Sequence, residues 1–299
     1  MKLLDAVDSL KIWRRGDQRA PHKPLLLLYA LAKELKYSET KFEFSKIEDD
    51  LNELLNEFWK PRNDRHSVEN PFWRLQTDKI WRVDYDWKLE KKNPDNISAS
   101  WLRKKNAVGT FSPEISQEIK DNPDIARQAA QKLLDAHFSE SLHQSILEST
   151  GLFYTGTFSN SKKSSKKARR NPKFRENVLH TYSYRCAICG FSLHMKTMPV
   201  GLEAAHIKWH QSGGPDTEDN GLALCATHHR LFDSGVMTLS QDYRIILSKW
   251  AYDPRDESNF IDMHQKRILK LPRNKRHLPK MDYINWHRKE VFKEPEIYL

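Results

Sequence analysis

The sequence predicts an α+β chain of two folded units: a mainly helical, winged-helix-like domain with a β-hairpin, then a small zinc-braced module. Three observations predict it. Apolar residues at helical spacing dominate residues 1–155. All three cysteines fall beyond residue 185, two paired with each other and the third with a histidine at metal-ligand spacing. Nearly all the excess positive charge lies between the two regions.

A chain of 299 residues is long enough for about two domains with ordinary cores. Hydrophobic residues make up 38% and charged residues 30%, so the units are expected to be small and heavily solvated. The longest apolar run, Pro24 to Ala32, falls short of the roughly 20 residues a spanning helix needs, and Asp5 and Asp8 interrupt the place where a leader's apolar core would lie. No membrane association is expected, and a cytoplasmic location is. Three cysteines form no disulfide framework and point to free thiols or metal ligation.

In residues 1–155, Leu3 to Ile12 has helical spacing, Pro21 to Leu35 is a strongly apolar helix with proline at its start, and Ile47 to Trp59 is amphipathic. Phe72 to Asp84, FWRLQTDKIWRVD, alternates around a polar turn and predicts the hairpin. Ser100 to Lys105 and Ile125 to Phe138 add further helix. The region has no Gly-rich phosphate loop, no metal-ligand spacing and no serine or cysteine nucleophile motif, which casts it as a recognition unit.

The net charge of +10 is unevenly placed: residues 1–155 balance 25 Lys/Arg against 25 Asp/Glu, whereas residues 156–175 carry eight basic residues and no acidic one. Rich in Ser, Lys and Arg and lacking an apolar face, this stretch reads as a linker over residues 156–173. Lys162, Lys163, Lys166, Lys167, Arg169 and Arg170 suit either a solvated tether or contacts to a phosphate backbone that carry no sequence information.

Residues 174–299 hold Cys186-Ala-Ile-Cys189 and Cys225-Ala-Thr-His228. Zn2+ takes four N or S ligands tetrahedrally, and a two-residue gap lets both side chains of a turn reach one ion. Beside these lie His206 in LEAAHI, Asn220 in EDNGLAL and His229 in CATHHRLFDSG. Tyr243 to Leu247 is a predicted strand, and Trp286 and Phe292 are predicted to pack against the module's edge.

Over residues 174–250 this pattern resembles the HNH endonucleases. The resemblance implies a ββα-metal unit in which a strand carries His206, a loop Asn220 and the following helix His229, all directed at one scissile phosphate. Cys186, Cys189, Cys225 and His228 are then a structural zinc site; His228 and His229 are adjacent, and the Cys-x2-ligand spacing favours the former for zinc. Phosphodiester hydrolysis needs a base for the attacking water and a Lewis acid on the phosphoryl and leaving oxygens. His206 is the expected base, its other nitrogen fixed by the asparagine loop or a backbone carbonyl near Asn220. His229 is expected to hold a catalytic Mg2+ or Mn2+, with Asp233, one turn on, as a second ligand. Two positions depart from the commonest pattern. Ala205 stands where an acidic ligand usually precedes the base, and His228 stands for the last knuckle cysteine. Glu203 is a weaker substitute for the missing acid, because three residues before His206 on a strand it points to the opposite face.

In the first region, RRGDQRAPHKPLLLLYAL (residues 14–31) and RHSVENPFWRLQTDKIW (residues 65–81) look like the sulfur-binding domain of phosphorothioate-dependent type IV restriction endonucleases, a resemblance covering most of residues 1–120. It implies a shallow pocket for the sulfur formed by the loop before the long helix and the loop with the Pro-Phe-Trp motif. A phosphorothioate is an anion with one large, soft, weakly hydrated atom, so a site needs cations and an apolar wall. Lys23 and Arg74 are the expected cations and Pro71 and Phe72 the wall. His22 and Asn70 are expected to hydrogen-bond the phosphate or base edges, and Gln18 and Arg19 to read bases in the major groove. The family often has an aromatic residue where Asn70 stands. Trp73 and Trp81 are expected in the core.

These expectations combine into a modification-dependent DNA endonuclease. One active site cuts one strand, so a homodimer is expected to cut both. Recognition of a methylated base or unmodified sequence by the same nuclease is the alternative, distinguished by the deep aromatic cage a flipped base requires. A DNA-binding regulator built on an inactive HNH fold is a third reading, opposed by the intact His206, Asn220 and His229.

Overall fold

The protein is described by a computed structural model over residues 2–15, 18–60, 67–86, 97–152, 172–252, 254, 264 and 267–293. The chain divides into two compact units, Met1–Ser165 and Lys166–Leu299.

The first unit runs α1 (Leu3–Asp8), an antiparallel pair β1 (Arg14–Arg15) and β2 (Gln18–Arg19), α2 (His22–Tyr37), β3 (Phe42–Glu43), α3 (Phe44–Phe58), α4 (Glu69–Arg74), β4 (Trp81–Asp84), α5 (Ala99–Lys104), β5 (Val108–Phe111), α6 (Pro113–Asp121), α7 (Pro123–His137) and α8 (His143–Thr150). Helix α2 is apolar all round from Pro24 to Ala32 and is accordingly buried all round, packed by α3, α4, α7 and α8. Alanines 126, 129 and 130 at helical spacing on α7 leave room for α1 and α2 to approach it. On α3 the apolar face is Ile47, Leu51, Leu54, Leu55 and Phe58. The helices predicted from Leu3, Pro21, Ile47, Ser100 and Ile125 are present with displaced ends.

The hairpin predicted over Phe72–Asp84 does not form. Glu69–Arg74 is helical and continues into a 3-10 turn, Leu75–Asp78; only Trp81–Asp84 is strand, and it pairs with Val108–Phe111. Pro71 falls in the first turn of α4, where a missing N–H leaves no intrahelical bond unmade. Phe72 and Leu75, three apart, share a helical face and are buried. The alternation of Trp81 and Val83 is genuine, but the partner strand is remote in sequence. The sheet order is β3-β5-β4, all antiparallel. Gly109 lies against the Trp81 indole, where a Cβ would come within 2.1 Å of a ring carbon, so packing demands glycine in the middle strand.

The second unit runs α9 (Pro172–Thr181), the hairpin β6 (Leu193–Met195) and β7 (Met198–Val200), β8 (Leu202–His206), β9 (Gly221–Cys225), α10 (Ala226–Asp233), β10 (Met237–Leu239), β11 (Ile245–Leu247) and α11 (Met281–Glu290). Pro172 and Lys173, assigned to the linker from sequence, begin α9; residues 156–171, with the six basic linker residues, lie outside the described residues. Strands β8 and β9 pair antiparallel, Leu202 opposite Cys225 and His206 opposite Gly221, and α10 follows β9 directly. Helix α9 covers one face of this pair: a Cβ on Gly221 would come within 2.3 Å of Val178. The predicted strand near Tyr243–Leu247 is β11, paired with β10. Trp286 and Phe292 are buried, as packing residues should be. No helix among the described residues is long and apolar enough to cross a membrane.

Candidate active site and DNA interface

The four predicted zinc ligands converge. The ligand atoms of Cys186, Cys189, Cys225 and His228 all lie within 4.8 Å of one another, a group able to hold a metal ion. The Cys186–Cys189 turn closes with Gly190 N–H donating to the Cys186 carbonyl at 2.8 Å and Gly190 in the left-handed region, φ 81°. Cys225 ends β9 and caps α10, which puts His228 in the helix's first turn. His228 turns Nδ1 toward the cysteines, 3.1 Å from Cys225 Sγ and 3.6 Å from Cys186 Sγ. Its Nε2 lies 2.9 Å from Nε2 of buried His264, a partner the spacing of the sequence motif does not reveal. Burial opposes ionisation of Cys186, but hydrogen bonds from His228 and backbone amides lower its pKa to about 6. Burial and the neighbouring thiols push Cys225 up to about 12. Thiols so close cannot all ionise without a cation, and the donor set fits a dication.

His206 ends β8 and stacks on Phe174 of α9, ring centroids 4.0 Å apart. Its Nε2 lies 2.8 Å from Asp216 Oδ1, and both side chains are largely buried. This partner lies on the loop that leads to Asn220, a carboxylate four residues before it that the sequence pattern does not single out. Asn220 itself is buried and clasps the loop: Oδ1 accepts from Lys208 N–H at 2.8 Å, and Nδ2 donates to the carbonyls of Lys208 and Pro215 at 3.0 and 2.9 Å. Gly214 completes the clasp, since a Cβ there would meet the Lys208 carbonyl at 1.8 Å.

His229, on α10, is held from both sides. Nδ1 is 2.6 Å from Glu203 Oε2 and Nε2 is 3.0 Å from Asp233 Oδ2. Burial alone would lower its pKa, but the Asp233 and Glu203 carboxylates outweigh burial and raise it to about 9. Asp233, predicted as an ion ligand, is buried, and its Oδ1 accepts from Trp209 Nε1–H at 2.8 Å. Both its oxygens thus meet nitrogens of the protein, Trp209 Nε1 and His229 Nε2. Glu203 and His206 do point to opposite faces of β8: one meets α10, the other α9.

The predicted recognition residues divide. Lys23, in the first turn of α2, donates to the Lys11 carbonyl at 3.0 Å and pairs with Asp78 Oδ2 at 2.5 Å, and Asp78 Oδ1 accepts from Lys11 N–H at 3.1 Å. Because Asp78 closes the turn after α4, this pair joins the start of α2 to the segment carrying Asn70 and Pro71, so the two predicted stretches do meet. The same pair neutralises Lys23 within the protein, against the expectation that its charge faces the phosphorothioate. Phe72 is fully buried, edge-on to Phe44 at 5.1 Å and Trp81 at 5.9 Å; it is core, not pocket wall. Pro71 is buried, Asn70 half-buried and Arg74 exposed at the end of α4. His22 is half-buried, 6.4 Å from the Trp59 ring. Trp81 is core as expected, while half-buried Trp73 clusters with Tyr85 and Trp101 at 5.8 and 5.7 Å. The side chains of Gln18 and Arg19 lie outside the described residues.

Two family models match the chain: "ScoMcrA-like, DNA sulfur-binding domain" over residues 1–154 and "HNH endonuclease" over residues 186–240. Among solved structures, the chain is similar to "Modification dependent TagI restriction endonuclease", at 26% identity over 40% of this chain and 38% of that one, TM-score 0.32. It is also similar to "Sulfur binding domain of ScoMcrA complexed with phosphorothioated DNA", at 21% identity over 50% of this chain and 96% of that one, TM-score 0.43. A third is "Sulfur binding domain of SprMcrA complexed with phosphorothioated DNA", at 20% identity over 51% of this chain and 94% of that one, TM-score 0.41. No curated protein matches the chain.

Proposed function

Because the chain belongs to the ScoMcrA-like, DNA sulfur-binding domain family and carries an HNH endonuclease domain, we propose that it is a modification-dependent DNA endonuclease. It recognises phosphorothioated DNA through residues 1–155, and residues 174–299 hydrolyse a phosphodiester near the modified site, with residues 156–173 as a basic tether. The observation that carries this reading is the presence, in one chain, of a sulfur-binding domain and of a carboxylate-held histidine pair, His206–Asp216 and Glu203–His229–Asp233.

In the first unit, the order helix, strand, helix, helix, strand, helix, strand from α2 to β5, with the last strand central in the sheet, supports the winged-helix-like reading. Arg74 at the exposed end of α4 supplies positive charge, and His22 and Asn70 hydrogen bonds to the phosphorothioate, with the buried Pro71 ring beneath them as apolar backing. A softer, less hydrated sulfur then gains affinity that an ordinary phosphate oxygen does not. Gln18 and Arg19 read neighbouring base edges.

In the second unit, the β8, β9, α10 succession supports a ββα-metal arrangement, with Cys186, Cys189, Cys225 and His228 holding a structural Zn2+. His206 is the general base. Asp216 holds Nε2, orients the ring and stabilises the imidazolium as Nδ1 takes a proton from the attacking water. Asn220 fixes the loop that carries Asp216. His229 would hold a divalent Mg2+ or Mn2+, which would supply neutralisation of charge developing on the phosphoryl and leaving oxygens. Each chain has one such site, so cleavage of both strands is assigned to a homodimer, and the site of action is cytoplasmic DNA.

Filter binding of two duplexes of one sequence, with and without a single phosphorothioate, tests the recognition half at fixed salt. At least about tenfold tighter binding of the sulfur-bearing duplex, equivalent to about 1.4 kcal/mol, is expected. Equal affinity across several flanking sequences would sink it.

A further inference from the structure

We infer that Glu203 is the carboxylate ligand of the catalytic divalent ion, beside His229 Nδ1, in the role that Ala205 leaves without a donor, and that Asp233 holds His229 from behind. The inference rests on the nuclease reading above. Ala205 is fully buried and its methyl group donates nothing. Two residues back along the same strand, Glu203 projects from the same face, because side chains on a strand alternate with period two. That face meets α10, where Glu203 Oε2 lies 2.6 Å from His229 Nδ1.

The two carboxylates on His229 differ in surroundings, and the difference assigns their roles. The Asp233 side chain is 1% exposed, with one oxygen taken by Trp209 Nε1–H and the other by His229 Nε2. This is the way a metal-binding histidine is backed and its tautomer fixed. The Glu203 side chain is 47% exposed, so an ion can reach it from solvent. A carboxylate with an imidazole suits a hard to borderline divalent ion such as Mn2+. Glu203 lies on the opposite face of β8 from His206, as Ala205 does.

The test is Mn2+ binding by the full-length, zinc-loaded protein, followed by loss of the free-Mn2+ electron paramagnetic resonance signal. Glu203→Gln, isosteric at a half-exposed position, is expected to weaken Mn2+ binding about 10- to 100-fold with zinc content and thermal melt unchanged. Glu203→Asp, which keeps the charge on a shorter arm, recovers part of the loss, and Asp233→Asn weakens binding about tenfold. Mn2+ affinity of Glu203→Gln within twofold of wild type, with His229→Ala losing it, overturns the assignment and leaves the nuclease reading standing. A wild-type protein that binds no Mn2+ overturns both.

Discussion

Replacing His206 with alanine is expected to lower the single-turnover rate of DNA cleavage by about 10²- to 10⁴-fold, with zinc content and binding of sulfur-bearing DNA at the wild-type level. The size follows from what the ring does. Water attacks a phosphodiester slowly unless its proton leaves as the bond forms, and the proposed base, His206, is held by three independent constraints: its position at the end of β8, the Phe174 ring stacked on it, and Asp216 on Nε2. Alanine removes the proton acceptor and leaves the ion site on the opposite face of the strand untouched. Asp216→Asn keeps a hydrogen-bond acceptor but loses the charge that stabilises the imidazolium, and its rate falls less. Single-turnover cleavage beside filter binding separates chemistry from affinity. A His206→Ala protein cutting within tenfold of wild type would contradict the assignment of the base.

Replacing Cys225 with serine is expected to abolish metal binding at the proposed structural site and to unfold the second unit. Cys225 ends β9, caps α10 and faces the Cys186–Cys189 turn, while that turn is tied to β9 by Ala187 N–H donating to the Ala223 carbonyl at 2.8 Å. Structural zinc sites of this kind contribute about 10–16 kcal/mol, comparable to the whole stability of a domain at about 5–15 kcal/mol. The expected readout is loss of stoichiometric zinc and of the second unit's calorimetric transition, with the first unit's transition retained. A metal-free variant that keeps both transitions would show that the cluster braces nothing.

Much of this was legible in the sequence because it is local. Cys186-x2-Cys189 and Cys225-x2-His228 each span a single turn, so their spacing alone predicts convergence, and the helical faces of α2 and α3 follow from periods that a few residues display. What escaped prediction depends on pairings between distant segments. Asp216 reaches His206 because the 207–220 loop folds back under the Asn220 clasp, and His264 reaches His228 from beyond β11; neither distance is encoded in a motif. Glu203 points away from His206, as strand alternation predicts, and meets His229 on α10, a pairing no local motif encodes. The misread hairpin over Phe72–Asp84 has the same origin: the strand Trp81–Asp84 was visible, but its partner at Val108–Phe111 was not. Lys23 and Phe72 look like binding residues by type, and only tertiary contacts with Asp78, Phe44 and Trp81 show them occupied within the fold.

Cleavage of two duplexes of identical sequence, one bearing a single phosphorothioate, in Mg2+ or Mn2+ with an EDTA control and over several flanking sequences, tests the joined activity most directly. Sulfur-dependent, metal-dependent cutting near the modified linkage is the expected result. Equal cutting of both duplexes, or binding of the sulfur-bearing duplex without cutting under any divalent ion, would contradict it.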